Sequence, residues 1–207
     1  MRKVFIALMI AFVSQFAVAQ KIKMDRSLMG GDVRAIATDD VKFASGVYSQ
    51  KDEPNDIRFE VGLYLLKGNT PEAKRELGIK SGNVAITINL NLDCRYEMYI
   101  SKGKTVIFKL SNGTNVQFKT IDDIDKSYEA TKYARLRNRY KNKISIEVTK
   151  QQLQSLIKGK IVKVRVVDDL TNKHDANVTD NKLSSTLETM YKLVDNAMNT
   201  NNDAEGF

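Results

Sequence analysis

The chain has 207 residues, 42% of them hydrophobic and 28% charged, with 33 Lys+Arg against 25 Asp+Glu, 11 Gly, two Pro, one Cys, one His and no Trp. That apolar content excludes intrinsic disorder, and the low Gly and Pro counts exclude a fibrous or low-complexity chain. A lone Cys closes no internal disulfide, and one His with one Cys builds no zinc cluster.

The N-terminus reads as an address. Met1-Arg2-Lys3 is followed by an apolar run from Val4 to Phe16 and then by Ala17-Val18-Ala19. A charged start, a short apolar stretch and a small-x-small end make a secretory signal peptide. A transmembrane helix needs roughly 20 apolar residues, and this run already admits Ser14 and Gln15 before it stops. Cleavage after Ala19 predicts an exported chain beginning at Gln20, periplasmic or extracellular, with no later segment of spanning length. Residues 20–198 are expected to form one mostly-β domain, and 199–207 a polar tail.

The dominant hydrophobic period is two, the signature of strands. Val33–Thr38 and Lys42–Ser49 are short candidates. From Ile57 to Leu66 the alternation is clear: Ile57, Phe59, Val61, Leu63 and Leu65 share one face, and Arg58, Glu60 and Tyr64 the other. Thr70-Pro71-Glu72 then reads as the cap and first positions of a short helix that stops at Gly78. Between Val84 and Ile100 every even position is apolar or Cys94, apart from Tyr96. One strand of that length would measure roughly 55 Å at 3.3 Å per residue. The preserved parity therefore predicts a long bent strand or a three-residue turn. It also makes Cys94 a small buried hydrophobe.

Thr105–Leu110 and Thr114–Thr120 flank Ser111-Asn112-Gly113, a hairpin signal. A two-residue loop would mix apolar and polar faces. A three-residue loop with Gly113 in the left-handed region pairs Phe108 with Val116 and Val106 with Phe118, which buries one face. Ile144, Ile146 and Val148 mark another strand. Thr149-Lys150-Gln151-Gln152 is a capping box that opens a short helix ending at Gly159. A strand with Val162, Val164 and Val166 follows. Lys182–Met198 is amphipathic, with Leu183, Leu187, Met190, Val194 and Ala197 at helical spacing. The fold class is α+β, mostly β: an antiparallel, two-layer β-sandwich-like domain with short connecting helices and a C-terminal amphipathic helix.

Catalytic vocabulary is sparse. Ser or Cys nucleophiles want a His base, and His174 lies in the polar stretch Thr171-Asn172-Lys173-His174-Asp175, which reads as a surface loop. Three acidic groupings, Asp39-Asp40, Asp122-Asp123 with Asp125, and Asp168-Asp169, fall where turns are expected, and Asp caps turn backbone. A carboxylate-dependent hydrolase would draw on Asp122, Asp123 or Asp125. No cofactor or metal is implied.

Charge placement is the sharpest feature that is not architectural. The formal charge of +8 becomes +6 once Arg2 and Lys3 leave with the signal peptide. Residues 126–143 hold seven cations (Lys126, Lys132, Arg135, Arg137, Arg139, Lys141 and Lys143) against Glu129 alone, also +6. Tyr128, Tyr133 and Tyr140 interleave them. Arg with neighbouring rings suits phosphate or sulfate groups, whereas alternating Arg on a strand can also be a solvated face. The expectation is an exported, non-enzymatic binding domain that meets an anionic envelope polymer or an acidic protein, rather than nucleic acid, through Arg135, Arg137, Arg139, Lys141 and Tyr140. The alternatives are the hydrolase and a structural component of an envelope or surface assembly.

Overall fold

The computed structural model describes residues 20–50, 53–76, 84–94, 98–123, 125–129 and 139–200. The strands are β1 (Ile22–Leu28), β2 (Val33–Thr38), β3 (Val41–Gln50), β4 (Glu53–Gly68), β5 (Val84–Cys94), β6 (Thr105–Leu110), β7 (Asn115–Lys119), β8 (Asp125–Glu129), β9 (Arg139–Val148), β10 (Ile161–Val167) and β11 (Lys173–Asn177). The helices are α1 (Pro71–Glu76), α2 (Lys150–Gly159) and α3 (Lys182–Thr200). Residues 1–19, Arg135, Arg137 and residues 201–207 of the expected polar tail lie outside the described residues.

The protein is mostly antiparallel β. The eleven described strands join one open sheet: nine follow the order β7-β6-β10-β11-β3-β4-β5-β9-β8, and β2 pairs with β4 off that path and carries β1 on its other edge. Length explains why one sheet suffices. β4 runs for 16 residues, so its first half pairs with β3, its second half with β2, and its other edge with β5 from Arg58 to Lys67. The sheet has a narrow seam. β11 meets β3 at a single pair, Ala176 opposite Gly46. There the two backbones approach so closely that a Cβ on Gly46 would collide with the Asp175 carbonyl oxygen. At the other extreme, Thr120 bridges Ile146 and the Ile121 N–H donates to the Ser145 carbonyl at 3.0 Å.

One hydrophobic cluster runs along the inner face. Ile57, Phe59, Val61, Leu63 and Leu65 of β4 are each 2% exposed or less, as their spacing predicts. α3 lies across this face against β2, β3, β4 and α2, burying Leu183, Leu187, Met190 and Val194. Burying a side chain of this size contributes about 1.5–3 kcal/mol. Ser184 pins the helix, its hydroxyl accepting from the Ile161 N–H (2.8 Å) and donating to the Leu156 carbonyl (3.2 Å).

Local signals in the sequence hold where the chemistry is specific. β6 and β7 pair Val106 with Phe118 and Phe108 with Val116 around a Gly113 at φ 87°. Thr149 and Gln152 make both hydrogen bonds of the capping box. Thr70 accepts from the Ala73 N–H at the start of α1. β5 ends at Cys94, yet Met98 and Ile100 remain buried, so the inward parity continues past the strand. Cys94 is itself buried and in no disulfide.

Candidate functional site

The described end of the basic segment is a strand. Arg139 opens β9 opposite Glu129 of β8. Tyr140 stands opposite Cys94 and Tyr128, and Lys141 opposite Asp93 and Ser127. Adjacent strand residues leave opposite faces. Lys141 and Lys143 therefore point to the outer face, while Tyr140 takes the side of buried Asn142 and Ile144. Beneath that turn of chain, Asn142 acts as a pin. Its Oδ1 accepts from the Met98 N–H (3.2 Å) and its Nδ2 donates to the Leu92 carbonyl (3.1 Å).

On the outer face of β4, β5 and β9, charges meet opposite charges. Arg58 lies 3.8 Å from Asp93. Burial pushes the Glu60 carboxyl above the usual range; Lys141 and Arg58 oppose that shift, and Asp93 and Asp40 add to it. Next to this ladder lies a cleft of about 620 Å³, walled by β1 and by the Ile121–Asp122 turn, with β2, β4, β5 and β9 as its floor. Lys23, Arg26 and Lys143 bring three cations to it, and Asp40 and Asp122 two carboxylates. Lys23 is paired with Asp40 at 3.9 Å. Gly62 makes room for that carboxylate, since any Cβ there would strike the Asp40 Oδ1. Tyr64, Thr87, Asn89 and Ser145 supply neutral hydrogen-bonding groups, the Ser145 hydroxyl donating to Asn89 Oδ1 at 2.8 Å. Burial raises the Tyr64 phenol, so it stays a neutral donor.

Most of the acidic pairs fasten turns. Asp123 accepts from the Lys102 N–H at 2.8 Å. Asp169 accepts from the Ser101 hydroxyl (2.6 Å) and N–H (3.0 Å), bonds that hold its carboxyl below the usual range. Asp168 accepts from the Asn172 N–H and side-chain amide. Asp40 and Asp122 are the exceptions, because both face the cleft. Among the described residues, no group of three or more His, Cys, Asp or Glu is placed to hold a metal ion.

His174 corrects the sequence reading. The polar stretch around it is strand β11, and His174 is fully buried with its Nε2 3.0 Å from Asp168 Oδ2. Burial depresses its basicity, against Asp168 and Asp175, which raise it. The missed signal is the alternation His174, Ala176, Val178, all buried, against exposed Lys173 and Asn177. Five residues of which only one is aliphatic disguise a strand whose inner face is short.

Comparison of the chain with protein-family models, curated proteins and solved structures gave no match. No helix among the described residues is long and apolar enough to cross a membrane.

Proposed function

We propose that the protein is an exported, non-enzymatic binding domain, carried out of the cytoplasm by residues 1–19, that takes an anionic partner at the basic segment and the cleft it enters. The supporting observation is convergence: Lys143, the last cation of that segment, lines the same cleft as Lys23 and Arg26 of β1. Three cations from two distant stretches of chain, ringed by neutral donors, suit a ligand carrying negative charge and hydroxyl groups. Exposed charges are screened at physiological ionic strength, so the binding is salt-sensitive.

The test is binding of the chain from Gln20 to a panel of anionic polymers at two salt concentrations, beside Arg135→Ala/Arg137→Ala/Arg139→Ala and Lys143→Ala. Binding that weakens with salt and with these substitutions, in proteins that remain folded, supports the reading. Binding indifferent to both overturns it. One observation favours the hydrolase as a second reading: Asp40 and Asp122 line one cleft. Glycan cleavage by the wild type that is lost in Asp122→Asn would replace the binding role with it.

A further inference from the structure

Strands β6, β7, β10 and β11 present a second outer surface, remote in sequence from residues 126–143. Its floor is a depression of about 220 Å³ lined by Ile107, Lys109, Asn115, Lys163 and Arg165. Lys163 stands directly opposite Lys109, and Arg165 opposite Ile107. Strands are about 4.8 Å apart, and like charges directly across from each other are unfavourable. Lys119 and Lys173 extend the surface at the far ends of β7 and β11. Among the outward positions of these four strands the only carboxylate is Asp175. It holds Arg165 in a two-pronged pair at 2.6 and 2.7 Å and Lys163 at 2.7 Å. Two of the five cations are thus fixed in place, while Lys109 and Lys173 are exposed and have no ion-pair partner among the described residues.

We infer that this face binds an acidic polysaccharide, its cations taking the carboxylate or sulfate groups and the amides of Asn115, Gln117 and Asn177 the hydroxyls. The neutral composition between the cations selects among polyanions. No aromatic ring stands at the outward positions, so a single nucleic-acid strand has nothing on which to stack its bases. The face also offers no wedge of large apolar side chains for a lipid interface; exposed Tyr99 and Leu170 stand in turns outside the strands. An unfavourable row of like charges kept together with a single shared carboxylate is relieved by a ligand that brings its own negative groups. The inference rests on the reading of an anion-binding domain and assigns that contact a second place and a ligand class.

The experiment measures binding of the chain from Gln20 to dextran sulfate and polygalacturonate, with neutral dextran, poly-dT and phosphatidylglycerol vesicles as comparisons, at low and high salt. The variants are Lys109→Ala/Lys119→Ala/Lys173→Ala, Asp175→Asn and the Arg135/Arg137/Arg139 triple substitution to Ala. The lysine triple leaves the Asp175 pairs intact and is expected to weaken binding of the acidic polysaccharides about tenfold at low salt, as three exposed charge contacts of roughly 0.5 kcal/mol each would give. Asp175→Asn, which frees two cations, is expected to tighten it. An unchanged affinity in the lysine triple overturns this inference. If only the arginine triple loses binding, this face fails while the anion-binding reading stands. If the wild type binds no polyanion at low salt, both fail. Tighter binding of poly-dT or of vesicles, lost in the lysine triple, overturns the ligand class.

Discussion

On β4, β5 and β9 the outward charges are matched: Arg58 with Asp93, Lys23 with Asp40 across the neighbouring cleft, Lys141 against Glu60. On β6, β7, β10 and β11 five outward cations stand against one carboxylate, Asp175, which pairs with two of them. Both surfaces belong to one sheet, and both back onto a mostly apolar inner face interrupted by a buried polar group, Asn142 in one and His174 in the other. The contrast shows how poorly charge along a chain maps onto charge in space. From Gln20 onward, the sequence outside residues 126–143 sums to zero. Yet the strands of this half send cations outward while carboxylates such as Asp168 and Asp169 stay in the turns, and a basic surface results.

The largest expected effect comes from the matched half, which rests on a buried polar pin. Asn142→Leu removes the acceptor of the Met98 N–H and the donor to the Leu92 carbonyl, both in the interior. Each buried group left without a partner costs about 1–3 kcal/mol, so a loss of roughly 3 kcal/mol is expected in urea unfolding. A variant as stable as the wild type would mean that water or rearrangement supplies the missing bonds.

A somewhat smaller loss is expected at the seam between the two halves. Gly46→Ala places a methyl group against the Asp175 carbonyl, a backbone atom that cannot swing aside. Overpacking of this kind costs about 1–3 kcal/mol. Because β11 pairs with β3 only there, hydrogen exchange should rise first in β10 and β11. Uniform exchange across the sheet would show that the halves are not joined through this point.

Legibility in the sequence followed the same division. Where one face is strongly apolar, as in β4, residues alone give the strand and its buried face, though β4 runs past the expected Ile57–Leu66 to Glu53–Gly68; where a turn has defined chemistry, as at Gly113 and Thr149, they also give register or boundary. β1 and β11 escape notice because they are short, mostly polar strands whose pairing is decided by neighbours far away in sequence. The sheet's continuity is likewise invisible locally, since it depends on β4 serving two partners along one edge. For the sites, Arg139, Lys141 and Tyr140 are legible as a basic strand, but the cleft is not: its walls come from β1, β9 and the turn after β7. The basic face escapes for the same reason, since its cations are contributed by two separated hairpins.

The halves should also respond oppositely to pH. The unfolded chain protonates His174 near its ordinary value of about 6.5. The folded chain does so only at lower pH, because burial outweighs the pull of Asp168 and Asp175. His174 thus contributes stability that is full above about pH 6.5 and is lost as pH falls through its folded value. Glu60 has the reverse sign. Because its folded value is raised, its contribution is full below about pH 4.3 and is lost as pH rises through the higher folded value. Asp175, held down at about 2, stays ionised across this window. His174→Gln should flatten the rise in stability as pH climbs toward about 6.5, and Glu60→Gln should remove the opposing fall that begins above about pH 4.3. A His174→Gln profile parallel to the wild type would remove the histidine as its cause.

The smallest effect is the one that reads the contrast most directly. Asp175→Asn leaves Lys109, Lys163 and Arg165 facing one another, at an expected cost of about 1 kcal/mol at low ionic strength. Salt should recover much of it, because the screening length falls from about 10 Å at 0.1 M to 3 Å at 1 M. Asp93→Asn should respond less to salt, since Arg58 and Lys141 still face Glu60. Equal salt responses would mean that the two surfaces carry equivalent fields and that the count of outward charges misleads. If the responses differ as expected, a polyanion should do for Asp175→Asn what salt does, and at far lower concentration. Binding only to the folded state raises stability in proportion to the logarithm of ligand over dissociation constant. Dextran sulfate should therefore raise the Tm of Asp175→Asn by more than that of Asp93→Asn, and the Lys109→Ala/Lys119→Ala/Lys173→Ala background should erase that difference.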